Sequence, residues 1–552
     1  MIADIHITEK SFGDKTLMKD VKFSVDDGEK VGVVGRNGVG KSTLFGILSG
    51  KDTDYTGEVI FRRGITIATT AQEHHGLGDQ TVMSYILGGL PEYSKLKKII
   101  DEYPLTMGDN MRKIEEYTQA LERFDQKGFY QVEEKIEREL SNFQLDGYGN
   151  RKISSLSGGQ KRLVEIVKIM HSEAHLALID EPTNHMDYVA KQQFIDWMNS
   201  QPHQAMLIIT HDRDVLGQVD RIVEIKDGQA VSYRGNYDAY LKQNAQATTA
   251  GMNNFEQIEK RIVNLKQKVL DYQRLKEKSR NPGTIQKFKR LENEARAELA
   301  ELSEMEKPTF WIDKESASQL DYKSAERYGK FKSRNIRLSM KDASSRSQHV
   351  LVRAENVAVG IGERILFEDV NIDLREGEAI EIRGRNGAGK TTLIRMILAS
   401  GKSFDGGPVL YSGDIFLDPQ VRIGVYEQEI DERYLSDPLE KAIEKLYMSR
   451  DLSISDTKIR QLLADYLFTD ADRMTPLARL SGGQKARFQI IAMLANDPQL
   501  LVLDEPTNHL DLPSIEELET ALAKYSGAIL YVSHDNYFRE KLDGKVVQIG
   551  AE

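Results

Sequence analysis

The sequence predicts an α/β fold built twice, with a helical hairpin linking the two copies. Three observations carry that expectation. A glycine-rich phosphate loop occurs twice, each time between a strand-like and a helix-like run. Two further motifs follow each loop in the same order. The segment between the repeats has coiled-coil spacing instead of strand patterning.

The loops are Gly35-Arg-Asn-Gly-Val-Gly-Lys41-Ser42 and Gly384-Arg-Asn-Gly-Ala-Gly-Lys390-Thr391, 349 positions apart. Both fit the P-loop pattern G-x-x-x-x-G-K-[ST], so each copy is expected to be a P-loop NTPase domain. Leu156-Ser-Gly-Gly-Gln160 returns as Leu480-Ser-Gly-Gly-Gln484, 324 positions later. Ile179-Asp-Glu-Pro-Thr-Asn-His185 returns as Leu503-Asp-Glu-Pro-Thr-Asn-His509 at the same offset. A tandem duplication with insertions accounts for the shared order. From Gln72 to Ser157 there are 85 steps, but only 53 from Gln428 to Ser481. The first copy therefore carries about 32 extra residues, expected within 80–150, where the sequence is charged and helical in pattern. The predicted domains are 1–240, a linker over 241–345, and 346–552.

The phosphate chemistry follows from residue type. Lys30-Val-Gly-Val-Val34 and Ala379-Ile-Glu-Ile382 read as buried strands, and Thr43–Leu48 and Thr392–Leu398 as the helices after each loop. Gly35, Gly38 and Gly40, with Gly384, Gly387 and Gly389, allow a tight turn whose N–H groups face phosphate oxygens. Asn37, Thr43, Asn386 and Thr392 belong to the same cradles. Lys41 and Lys390 are expected on the β- and γ-phosphates of ATP, and the Ser42 and Thr391 hydroxyls on Mg²⁺. Asp180 and Asp504 each end an apolar strand, which puts a carboxylate at the nucleotide crevice to hold the metal's hydration shell. Glu181 and Glu505 follow as candidate general bases. His211 and His534 follow further apolar runs and are placed to orient water or sense phosphate. Ser157-Gly158-Gly159 and Ser481-Gly482-Gly483 open a second helix in each copy. Such an anion-recognising N-terminus is redundant within its own domain, and makes sense if it closes on the other domain's nucleotide.

These motifs resemble the ATP-binding cassette (ABC) ATPases over roughly 1–240 and 350–552, with Leu-Ser-Gly-Gly-Gln as the family signature. The resemblance implies that Gln72 and Gln428 are Q-loop residues near the metal and the catalytic water, and that Asp187 and Asp511 are D-loop residues. It implies two ATPs sandwiched head to tail. One site would use Lys41, Ser42, Gln72, Asp180, Glu181 and His211 with Ser481 and Gly483. The other would use Lys390, Thr391, Gln428, Asp504, Glu505 and His534 with Ser157 and Gly159. The family stacks adenine on an aromatic upstream of the P-loop. Phe12 fits, but the equivalent position in the second copy is Ile361, so base stacking there is expected to be weaker.

Composition sets the boundaries. With no cysteine, the chain has no disulfide, thiolate zinc site, cysteine-ligated cluster or cysteine nucleophile. No apolar run reaches the ~18 residues a membrane span needs. The first residues lack a secretory pattern, so the expected location is cytoplasmic. Net charge is −11, from 75 basic and 86 acidic residues, yet Lys260–Arg290 holds 11 basic residues against 2 acidic, leaving −20 for the rest. Phe255, Ile258, Ile262, Leu265, Val269 and Tyr272 form an a/d seam. Asn281-Pro282-Gly283 breaks it, and Phe288, Leu291, Ala295, Leu299 and Leu302 resume an apolar stripe. An antiparallel hairpin follows, with an arm of about 30 Å from residues 255–275. A basic arm on an acidic body suits insertion into a phosphate-rich RNA environment. The expected RNA contacts are Arg274, Lys276, Lys278, Arg280, Lys287, Lys289 and Arg290, with Tyr272 and Phe288 available to stack on bases.

Tandem cassettes, a helical linker of about 100 residues and Asp-Glu-Pro-Thr-Asn-His resemble the ABC-F proteins. That resemblance implies a cytosolic factor that binds the ribosomal E site. Its hairpin would reach toward the P-site tRNA, rRNA and the peptidyl-transferase centre, and the extra residues of the first cassette would be the family's arm. It implies a monomer whose own cassettes pair, and either a translation factor or a ribosome-protecting resistance protein. Some members carry a further C-terminal coiled coil; with 18 residues after His534, none is expected here. The alternative is a tandem ATPase subunit of a membrane transporter.

Overall fold

Each P-loop hangs from the interior of a largely parallel sheet. In the first cassette the strand order is Ile67–Thr69, Leu176–Asp180, Ala205–Ile209, Lys30–Gly35, Arg221–Lys226 and Gln229–Arg234, with only the last pair antiparallel. In the second it is Ile423–Tyr426, Leu500–Asp504, Ala528–Val532, Ala379–Arg383 and Lys545–Gln548, parallel throughout. Strands Leu176–Asp180, Ala205–Ile209, Leu500–Asp504 and Ala528–Val532 are buried at every residue. Parallel strands covered on both faces need such unbroken apolar runs. The register pairs Asp180 with Ile209 and Asp504 with Val532, which puts both carboxylates at the carboxyl edge, where open α/β sheets bind ligands.

A three-stranded antiparallel sheet lies over each P-loop helix. One consists of Lys15–Val25, Ala3–Phe12 and Thr56–Phe61, the other of Arg364–Arg375, Val350–Ile361 and Pro408–Leu417. Leu44, Phe45, Ile47 and Leu48 of helix Lys41–Leu48 share a core with Ile5 and Ile7 above and Val31 and Val33 below. Leu393, Ile394, Met396 and Ile397 do the same in the second cassette. That double burial fixes the helix axis, and so the direction of its N-terminal N–H groups.

The structure is a computed structural model describing residues 1–12, 15–70, 79–108, 110–184, 186–303, 305, 307–318, 320, 322–338, 349–402, 407–427 and 430–550. It divides into two units, Met1–Tyr237 with Ile336–Glu552, and Asp238–Asn335. Both cassettes therefore belong to one unit. Within 80–150 the first cassette carries helices Val82–Gly88, Tyr93–Thr106, Met111–Gln126 and Val132–Asn142. Tyr93, Phe124 and Phe129 pack edge to face there, with ring centroids 5.2 Å apart between Phe129 and each of the others.

The second unit is helical. Helix Tyr237–Lys278 has 42 residues, about 63 Å at 1.5 Å per residue, and helix Pro282–Ser303 follows. Asn281 is more than a breaker: its Oδ1 accepts from the N–H of Gly283 at 2.9 Å, capping a helix that starts on Pro282. Leu265, Val269 and Ala295 form the hairpin core, joined by Tyr272, Leu299 and Leu302. Phe255 departs from the expected seam. It packs against Phe331, centroids 5.7 Å apart, in a second small core with Met252, Ile312 and Tyr328.

Candidate functional site

Gly40 and Gly389 are the N-cap residues of the P-loop helices, with φ of +102° and +97°. Glycine adopts that left-handed conformation without a Cβ penalty, and the turn aims backbone donors at the crevice. Lys41 Nζ donates to the carbonyls of Gly35 and Arg36 at 2.7 and 3.1 Å. Lys390 Nζ donates to those of Gly384 and Arg385 at 2.8 and 3.1 Å. Both ammonium groups are buried, which pulls their pKa down against the opposing carboxylates, chiefly Glu181 and Glu505. Ser42 Oγ donates to Asp180 Oδ2 at 3.1 Å, and Thr391 Oγ1 to Asp504 Oδ2 at 2.7 Å. A hydroxyl beside one carboxylate is an oxygen-only donor set, the kind Mg²⁺ takes together with phosphate oxygens. The residues present thus fit the metal the P-loop implies.

Glu181 and Glu505 follow directly. Each backbone is left-handed, φ +47° and +51°, and each N–H donates across the sheet, to Ile209 at 2.7 Å and Val532 at 3.0 Å. His211 Nε2 lies 3.6 Å from Glu181, and His534 Nε2 lies 3.3 Å from Glu505. His211 Nδ1 and Nε2, Glu505 Oε1 and His534 Nε2 are buried without a hydrogen bond. Unpaired polar atoms converging on the P-loop side suit a ligand with phosphate oxygens and water. Burial pushes Glu181 up to about 7, and burial with nearby Lys41 pushes His211 down to about 3. Burial likewise raises Glu505, and burial with Lys390 pushes His534 down to about 3. Each pair sets a carboxyl of raised pKa beside a neutral imidazole.

Each cassette also supplies residues to the other's loop. Ser157 and Ser481 are N-caps of helices Gly158–His171 and Gly482–Leu494, and both form capping boxes with Gln160 and Gln484. Asn37 N–H donates to Asp511 Oδ2 at 3.1 Å, and Asn386 N–H to Asp187 Oδ2 at 3.0 Å. Asn37 Nδ2 also donates to the His509 carbonyl at 2.9 Å. A Cβ on Gly483 would lie 2.0 Å from Asn37 Nδ2, so any larger residue there would displace the Asn37 amide. A cavity of about 1010 Å³ holds the second site, lined on one side by Asn386, Gly387, Gly389, Lys390, Thr391, Thr392, Asp504, Glu505 and His534. Ser157, Gly158 and Gly159 of the other cassette line it opposite. Ile361, Arg364 and Leu366 line it too; Ile361 and Phe12 both stand exposed, each at the end of its strand, Val350–Ile361 and Ala3–Phe12. Gln72 and Gln428 lie outside the described residues.

In the helical unit, Arg274, Lys278, Arg280, Lys287, Lys289 and Arg290 are exposed. Lys276 instead pairs with buried Glu292 at 2.5 Å. Tyr272 and Phe288 stack on each other, centroids 6.3 Å apart and planes 26° apart, in place of the open faces expected for base stacking. The spacing of the two stripes carried that pairing. Sequence reasoning passed over Lys191 and Arg213, buried cations between the cassettes.

Residues 18–184 and 367–508 match the ABC transporter family, and the chain belongs to it, with its ATPase domain present twice. Within it, relatives matched along nearly the whole chain include members of the F family. ABC transporter F family member 2 of Arabidopsis thaliana is 29% identical over 98% of this chain and 75% of its own length. The ribosome protection protein VmlR of Bacillus subtilis is 27% identical over 96% of this chain and 83% of its own. The energy-dependent translational throttle protein EttA of Mycobacterium tuberculosis is 27% identical over 96% and 88%. Among solved structures, the archaeal ribosome recycling factor aABCE1, in complex with the stalk protein aP1, shares the fold. It covers 99% of this chain and 88% of its own at 16% identity, with a TM-score of 0.59. No described helix is long and apolar enough to cross a membrane.

Proposed function

We propose that the chain is an ATPase whose two sites are completed by closing one cassette on the other, and that the closed form binds the ribosome. The observation that carries the first half is the reciprocal bond of each D-loop carboxylate to the opposite P-loop, Asp511 to Asn37 and Asp187 to Asn386. Neither site has its full set of groups from one cassette. Two ATPs would be held by the glycine cradles, by Lys41 and Lys390, and by the opposing Ser481–Gly483 and Ser157–Gly159 turns. Mg²⁺ would sit with Ser42 and Asp180, and with Thr391 and Asp504, neutralising phosphate charge. Glu181 and Glu505 accept the proton of the attacking water; burial raises both carboxyls, Glu181 to about 7, which suits it to that role near neutral pH. His211 and His534, held neutral, orient that water and the terminal phosphate. Hydrolysis removes the group that both cassettes grip, and closure is lost.

The ribosomal half is supported by two things. Six exposed cations cluster about the hairpin turn of an otherwise acidic chain, the charge pattern of an RNA contact. VmlR and EttA, matched along nearly the whole chain, are named for work on ribosomes and translation. The chain then acts in the cytoplasm as a monomer with its cassettes paired. Its hairpin adjusts P-site tRNA and the rRNA of the peptidyl-transferase centre, either to sustain translation or to displace an antibiotic. A Glu181→Gln/Glu505→Gln variant should stay closed in ATP and co-sediment with ribosomes. Free variant in the supernatant at low salt, with ATP bound, would exclude the ribosomal half.

A further inference from the structure

The two cassettes are related by sequence, but the charges that join them are one-sided. Four residues after the D-loop carboxylates Asp187 and Asp511 stand Lys191 in the first cassette and Ile515 in the second. Both side chains are buried early in their helices, Tyr188–Ser200 and Leu512–Ala523. Lys191 Nζ reaches across the interface and donates to the backbone carbonyl of His534 at 2.8 Å. It also donates to Asp214 Oδ2 at 2.6 Å and lies 3.3 Å from Asp212 Oδ2, so its three protons all face oxygens. Ile515 has no donor to offer the His211 carbonyl in return.

The bridged residue matters. The N–H of His534 donates to Glu505 Oε2 at 3.2 Å, and its ring nitrogen lies 3.3 Å from Glu505 Oε1. One residue therefore takes Lys191 on its carbonyl and holds the carboxylate of the second site with its N–H. Asn536 Nδ2 adds a bond to Asp214 Oδ2 at 2.8 Å, tying the same loop to the first cassette again. Burial works against the charge on Lys191, but Asp212 and Asp214 outweigh it and hold the ammonium above its ordinary pKa.

We propose that Lys191 is a positioning residue acting in trans: it fixes the His534 loop, and through it Glu505, so that hydrolysis at the second site depends on cassette closure more strictly than hydrolysis at the first. This rests on the ATPase reading above. At the first site Lys191 meets only the side chains of Asp212 and Asp214, and the helix cap made by Asp212, which accepts from the N–H of Asp214 at 2.9 Å, holds that loop independently. The second loop has the equivalent cap, Asp535 accepting from the N–H of Phe538 at 3.1 Å, so what sets the two sites apart is the Lys191 bond to the His534 carbonyl, which Ile515 cannot return to His211.

Single-site variants separate the cases. In a Glu181→Gln background, which leaves the second site active, Lys191→Met should lower kcat about tenfold or more while KM for ATP stays within about twofold, the mark of a misplaced catalytic group. In a Glu505→Gln background, which leaves the first site active, the same change should cost under about threefold. Lys191→Arg should recover part of the second-site rate. A Lys191→Met/Asp214→Asn variant, with the buried charges rebalanced, guards against simple unfolding and should show the same site bias. Equal losses at both sites, or a loss carried by KM alone, would overturn the inference while leaving the ATPase reading intact. A parent chain without ATP turnover would overturn both.

Discussion

At Glu181 and Glu505 the chain accepts a left-handed backbone at a side chain that disfavours it, φ +47° and +51°, at about 1–3 kcal/mol each. Each glutamate comes straight off a buried strand, and the twist turns its carboxylate toward the P-loop and the histidine. Nothing in Asp-Glu-Pro-Thr-Asn-His announces that geometry, because φ is imposed by the bond from Glu N–H to the neighbouring strand. The residue types were legible, since strand-terminal acids have few other uses; their protonation was not, because it depends on burial. With Glu181 pushed up to about 7, its carboxyl is protonated below that pH and ionised above it. A base must be ionised, so activity at the first site should rise as pH rises. In the Glu505→Gln variant, kcat/KM for ATP should fall about tenfold per pH unit below 7. His211, pushed down to about 3 and neutral across this range, should add no limb near 6.5. A flat profile from about pH 5.5 to 8.5 would remove Glu181 from the role of base.

Among the elements, the hairpin is the piece whose function depends least on its neighbours in sequence. Its apolar core is thin: Leu265, Val269 and Ala295 are buried in it, with Tyr272, Leu299 and Leu302 beside them. Removing Leu265 to alanine should cost about 2–5 kcal/mol of local stability, since few atoms can close the cavity. Hydrogen exchange should then quicken through 258–302 while the cassette strands keep their protection. Uniform loss across the chain would mean that the unit does not open by itself. Heptad spacing revealed this element because a two-helix seam is written locally, in steps of three and four. It misled at Phe255, which packs on Phe331, a partner 76 positions away that no local period encodes. The basic turn makes its own prediction. Replacing Lys278, Arg280, Lys287 and Lys289 with glutamine should weaken ribosome association and flatten its log–log salt dependence by about one for each phosphate no longer neutralised. Unchanged binding would place the RNA-facing surface elsewhere. Lys276, held by Glu292, should contribute little to that slope.

For the whole molecule, the duplication was plain in three repeated motifs, yet it invites an expectation of symmetry that the interface breaks. Arg213 and Glu519 form a 2.9 Å pair between cassettes, both nearly inaccessible. Arg213 stands two residues after His211, but Asn536 stands two residues after His534, and the position matching Glu519 is Ile195. A repeat reveals what both halves share, so residues present in one half only, such as Lys191, Arg213 and Glu519, carry no signal in it. The pair's energetics are testable because buried ion pairs behave unevenly. Taking two charges from water costs about what their attraction returns, so a matched apolar replacement is close to neutral, whereas losing one partner leaves a bare buried charge at about 3–5 kcal/mol. Glu519→Leu should therefore weaken ATP-driven closure, read by a fluorophore pair on the two cassettes, by far more than Arg213→Met/Glu519→Leu does. In that double variant no buried charge is left without its counter-charge, and closure should return to near the parent value. If the double variant closes as poorly as the single one, the pair supplies net attraction between the cassettes. Closure would then depend on that ion pair in its own right, in addition to the nucleotides held between them.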